Sequence, residues 1–137
     1  MTAATKDRDT QEVAGRFRSF PAAAAAKVYA GTIAVVDASG NCNKGSTSTT
    51  LKAVGVFDQP YDNTGGAAGA MQFEAKLGIF GPFANSAAGD QITNADVGAD
   101  CYIVDDQTVA KTSGTSTRSV AGKVHLVDSV GVWVKFS

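Results

Sequence analysis

The sequence predicts a mainly-β protein: a small β-barrel or β-sandwich of short antiparallel strands, with a flexible N-terminal arm and at most one or two short helical turns. Three observations carry this. Short runs rich in Val, Ile, Phe and Tyr recur between clusters of Gly, Ser, Asp and Asn. No segment shows the sustained 3.6-residue periodicity of an amphipathic helix. Charged residues make up 18% of the chain against about 25% in an average domain, and 15 glycines serve the turns. With 137 residues, the chain has the length of one domain. Residues 1–20 read as an arm plus a first edge strand, and 21–137 as a single β domain.

The elements follow in order. Met1 to about Gln11 carries Lys6, Asp7, Arg8 and Asp9 with almost nothing apolar, so burial cannot offset the entropy of ordering it. Val13–Phe20 alternates as an edge strand, with Phe17 on one side and Arg16, Arg18 and Phe20 on the other. Pro21–Lys27 is a proline followed by five alanines, which predicts one or two helical turns. Val28–Asp37 reads as two strand pieces bent at Gly31, then an Asp37–Asn41 turn and a loop over Asn43–Thr50. Leu51–Phe57 is a strand in which Gly55 marks a bulge or a close backbone approach.

After a loop over Pro60–Gly69, Met71–Leu77 alternates most cleanly, with Met71, Phe73, Ala75 and Leu77 toward a core. Pro82, lacking an N–H, is expected at an edge or a strand end. Ile92–Gly98 reads as a helical turn with Thr93 as N-cap, Asp96 at the third helical position and Gly98 as terminator. Cys101–Val104 and Thr108–Ala110 flank an Asp105-Asp106-Gln107 turn. A closing hairpin joins Val120–Val127 to Val132–Phe136, placing Val132, Val134 and Phe136 on one face and Trp133 and Lys135 on the other.

Composition narrows function. Net charge is −1 with both signs mixed, so no basic face is available for nucleic acid. No apolar run of about 18 residues exists to cross a membrane, and the polar N-terminus is unlike a signal peptide, so a soluble protein made in a cytoplasm is expected. Cys42 and Cys101 lack metal or redox spacing and read either as buried thiols or as a disulfide closing a long loop.

Chemistry has few candidates. The single histidine, His125, lies in a strand beside no nucleophile motif. Asp105-Asp106 is the one adjacent carboxylate pair and fits a turn. No glycine pattern matches a phosphate-binding loop. The sequence therefore offers no catalytic, cofactor-binding or metal-ligating set. Partner contact is the remaining class. Arg16, Phe17, Arg18 and Phe20 interleave aromatic and basic side chains next to the arm, and read either as a partner surface or as an edge strand with solvated arginines. Trp133 reads either as an exposed anchor or as a ring packed under a loop.

Several blocks taken together are similar to a known family. Val28-Tyr29-Ala30-Gly31-Thr32-Ile33-Ala34-Val35 with the Asp37-Ala38-Ser39-Gly40 turn, then Leu51-Lys52-Ala53-Val54-Gly55-Val56, then Ile92–Val104 with Asp105-Asp106-Gln107-Thr108-Val109, then Val120-Ala121-Gly122-Lys123-Val124 with Gly131-Val132-Trp133-Val134, follow one another as in bacteriophage capsid decoration (cement) proteins, which this chain resembles over roughly residues 13–137. The resemblance implies a non-enzymatic virion protein on the capsid exterior. Its partner would be the major capsid protein, it would act as a homo-oligomer with a trimer favoured, and it would brace neighbouring capsid subunits. A carbohydrate-binding or adhesion module of a phage tail or cell surface is the competing expectation, with Trp133, Tyr61 or Tyr102 as sugar platforms.

Overall fold

A computed structural model describes residues 2–13 and 15–137. Met1, in the expected arm, and Ala14, in the expected first strand, lie outside the described residues. The fold is mainly β, as expected. Its strands are β1 (Phe17–Pro21), β2 (Lys27–Val28), β3 (Ile33–Val36), β4 (Cys42–Lys44), β5 (Lys52–Phe57), β6 (Tyr61–Asp62), β7 (Gln72–Lys76), β8 (Gly78–Asn85), β9 (Asp100–Ile103), β10 (Thr108–Ala110), β11 (Val120–Val127) and β12 (Val132–Phe136). The only helical pieces among the described residues are single 3-10 turns at Ala88–Asp90 and Asn94–Asp96.

Two sheets form the body. Strands β10-β8-β12-β11-β9 close into a barrel, and β1-β7-β5-β3-β4 form an open antiparallel sheet. The open sheet is covered on both faces. Ile33, Val35 and Val56 join the barrel core built on Phe83, Ile92, Cys101, Ile103, Val109, Val124, Val132, Val134 and Phe136. The neighbouring residues Ala34, Val54, Phe57, Phe73 and Ala75 face a second core, closed by Ala22, Ala23, Ala26 and Val28 under the small β2–β6 pair. In the second core Phe73 stacks on Tyr61 at 5.0 Å and meets Phe57 edge-on at 5.9 Å. Gly55 is the crossing point of β5 and β7: at φ +131° it presents bare backbone to the Lys76 carbonyl, and any Cβ would collide with that oxygen. This is the close approach that its sequence position predicts.

Local turn chemistry is as expected at several points. The Asp37 carboxylate accepts from the Ser39 and Asn41 amides, closing the β3–β4 turn with Gly40 at φ +84°. Thr93 accepts from the Ala95 amide while the Asp96 carboxylate accepts from the Thr93 amide, a complete capping box.

Five expectations are corrected. The alanine run forms no helix: Ala22 donates to Met71, Ala23 to Cys42 and Ala25 to Gly66, so these amides are spent on distant carbonyls, and Ala25 turns through φ +55°. A helix of two turns gains too little from alanine propensity to outbid those bonds and the burial of three alanines. The loop expected over Asn43–Thr50 begins with part of β4, and the loop expected over Pro60–Gly69 contains β6. Neither short strand has an apolar alternation to betray it.

Pro82 lies inside β8, in a closed barrel, and not at an edge or a strand end. The β8–β12 register shifts between Val132 and Val134 at that point, and β10 pairs only from Ala84 onward, so neither ladder requires an N–H there. Finally, the strands are not all antiparallel. Chain passing through both 3-10 turns and β9 brings β10 back parallel to β8.

Both cysteines are free and buried, and burial pushes each thiol up to about 12. They stay protonated at neutral pH and behave as small apolar core residues.

Candidate partner-binding surface

β1 is an edge of the open sheet and, among the described residues, pairs only with β7, in the register Phe17↔Lys76, Arg18↔Ala75, Ser19↔Glu74 and Phe20↔Phe73. The opposite edge, β4, is bridged by Ala22 and accepts from the Ala23 amide. The Leu77 amide donates to Arg16 and the Ala22 amide to Met71, so even-numbered β1 residues bond toward β7. By the alternation of an antiparallel ladder, the amides and carbonyls of Phe17 and Ser19 point away from the sheet.

The structure splits the four expected contact residues by face. Arg18 and Phe20 stand on the side of the second core, where Phe20 packs against it, Arg18 donates to the Val54 carbonyl at 3.1 Å and its guanidinium covers the Phe20 ring at 5.5 Å. Phe17, 48% exposed, stands on the opposite side in register with Lys76, and the Arg16 guanidinium lies 5.8 Å from its ring. The segment therefore presents two basic groups and one exposed aromatic along a single open edge. Ahead of it, residues 2–13 are exposed and join no strand or helix.

Trp133 is elsewhere, on the outer wall of the barrel in β12 opposite Leu126. Its ring rests on Gly81, where a side chain would meet it at 3.0 Å, and its indole N–H donates to Asp128 at 3.2 Å. Asp128 also accepts from the Val130 and Gly131 amides and so fastens the β11–β12 turn. The half-buried ring thus has a packing role, with Leu126, 48% exposed, beside it.

The three aromatic platforms do not converge. Tyr61 is stacked on Phe73 in the β2–β6 layer. Tyr102 pairs with Val120 at one end of β11 and Trp133 with Leu126 near the other, about 20 Å along the strand. His125 is exposed where the β11 register shifts, and the Asp105 carboxylate accepts from the Gln107 amide as a turn residue does.

A cleft of about 410 Å³ opens between the open sheet and β8, lined among others by Gly31, Thr32, Asp58, Lys76, Phe80 and Gln107. Lys76 binds Asp58 at 2.8 Å and lies 5.3 Å from the Phe80 ring. The lining of the cleft comes from five separate segments, so no local pattern could have announced it.

The charge that holds the barrel hairpin predicts a pH response. Hydrogen bonds from Val130, Gly131 and Trp133 hold the Asp128 carboxyl below the usual carboxylate value. A carboxyl depressed in the folded state stabilises it above its unfolded pKa, and the contribution is lost as pH falls through the lower, folded value. Trp133 is the only tryptophan, so its fluorescence reports this corner alone. Its emission is expected to hold steady from neutral pH into the carboxylate range and to change below the usual aspartate pKa. An Asp128→Ala variant is expected to show the altered emission already at neutral pH; an unchanged acid step in that variant would assign the transition to other groups.

No family model matches this chain, and no curated protein or solved structure does.

Proposed function

We propose that this chain is a structural virion protein that binds the exterior of a phage capsid, as a homotrimer, and braces neighbouring major capsid subunits. One observation supports the reading: the blocks that resemble decoration proteins fall on strands and turns of the sheets. They supply the end of β2, β3 with the Asp37 turn, the central strand β5, the β9–β10 pair and the β11–β12 hairpin. The exposed residues 2–13 and the open β1 edge lie outside this frame and are available for contact.

The physical logic is that of many modest interfaces. A protein that binds only the assembled lattice shifts the assembly equilibrium by mass action, and a multivalent subunit multiplies weak contacts into a stable brace.

Co-sedimentation of the purified chain with undecorated capsids tests this. Saturable binding, with capsids that then withstand more heat, is the expected result. A chain that stays in the supernatant at every capsid concentration would overturn it, and a glycan array would then examine the adhesion alternative.

A further inference from the structure

The open β1 edge and the arm that precedes it carry matching charge patterns. At the start of β1 the basic groups recur with the strand period at Arg16, just before the strand, and Arg18; along the arm Asp7 and Asp9 recur with the same period, alternating with Lys6 and Arg8. In the single copy the arm is not folded back onto β1, and none of Lys6, Asp7, Arg8 or Asp9 enters an ion pair among the described residues.

We propose that the occupant of the β1 edge is the arm of a second copy of this chain, residues 4–9, added as an antiparallel sixth strand of the open sheet. Placing Asp7 of the second copy opposite Arg18 sets Asp9 opposite Arg16, Arg8 opposite Phe17, Lys6 opposite Ser19 and Ala4 opposite Pro21. This one register satisfies several independent constraints. The outward amides and carbonyls of Phe17 and Ser19 exchange bonds with Arg8 and Lys6, while Pro21, which has no N–H, need only accept from Ala4. Each aspartate meets a guanidinium that still has free donors, since Arg18 uses only one on Val54. On the other face Arg8 meets the half-exposed Phe17 ring, and Lys6 joins the row of Ser19 and Glu74, a carboxylate with no ion pair among the described residues.

Two antiparallel registers that would pair β1 with β1 of another copy are disfavoured by the same charges. A register centred on Phe17 sets Arg16 against Arg18, and one centred on Arg18 sets Arg18 against itself; like charges directly opposite repel. The arginines thus disfavour those two registers and leave the edge open to the aspartates of the arm.

The inference concerns the free protein and does not rest on the capsid reading. The test is light scattering and sedimentation of four full-length proteins without capsids: wild type, Arg16→Glu/Arg18→Glu, Asp7→Lys/Asp9→Lys, and the chain carrying all four changes. Wild type is expected to self-associate, and each two-site variant to do so at least tenfold more weakly. Mixing the two variants should restore association, because each arm then finds a β1 of opposite charge on the other chain, and the four-site chain should associate by itself. Near-ultraviolet circular dichroism checks that each variant keeps its fold. A monomeric wild type, association indifferent to the charges, or a mixture that stays dissociated while the four-site chain folds normally would each overturn it. The last pattern is that of an arm folded onto its own β1.

Discussion

Replacing Gly55 with alanine is expected to lower the unfolding free energy by about 2 to 6 kcal/mol, the sum of about 1–3 for a disfavoured backbone conformation and about 1–3 for overpacking. Gly55 combines φ +131° with the Lys76 carbonyl in the position a Cβ would fill. The collision is with backbone on both sides, so neither strand can yield without breaking the β5–β7 pairing at Val56↔Lys76 and Phe57↔Ala75. Gly31→Ala is the matched control: Gly31 has φ +80° but no atom within 4 Å of a Cβ, and about 1 kcal/mol is expected there. Urea denaturation of the two variants checks this. Equal losses would mean that β5 and β7 can separate freely, and that the close approach contributes nothing.

Phe73→Ala is expected to cost about 4 kcal/mol, within the usual range for emptying a buried aromatic site. The ring is fully buried and is the hinge of the second core, touching Tyr61 face-on and Phe57 edge-on. Phe73→Leu keeps most of the volume and should cost no more than about 1.5 kcal/mol. The half-exposed Phe17 should give about 1 kcal/mol or less on truncation. The variant also tests whether the two cores unfold together. β3 and β5 contribute alternate residues to both cores, so a loss on one side is transmitted through the sheet. Trp133 fluorescence in the barrel and far-ultraviolet circular dichroism of the whole chain should therefore shift to one common, lower midpoint. Separate midpoints would show that barrel and second core are independent units.

The proposed contact surface was legible in part. Alternation placed Phe17 and Arg18 on opposite sides of a strand, and the structure assigns those sides: Arg18 to the second core and Phe17 to the face in register with Lys76. That β1 is an edge strand was expected from the sequence, and the sheet order places it at an edge; that the opposite edge is covered was not legible. β4 is closed by Ala22 and Ala23, residues that local propensity reads as helix, so nothing local announces that cover. Trp133 was readable as outward-facing, but its engagement by Asp128 and its seat on Gly81 depend on a turn and on a neighbouring strand.

What the sequence determined by itself is what forces within a few residues decide. Asp37, Thr93 with Asp96, and Asp128 each fasten a turn through bonds to nearby amides, and the alternations in Met71–Leu77 and Val132–Phe136 sort side chains between core and surface. What only the tertiary structure decided is every feature whose hydrogen bonds or packing span distant segments. The path of Ala22–Ala26, the short strands β4 and β6, the place of Pro82 at a register shift, and the closure of β10 onto β8 all belong to that class. Alanine propensity and proline's missing donor are each worth only what their surroundings leave unclaimed, and here distant carbonyls and a shifted ladder claimed them first.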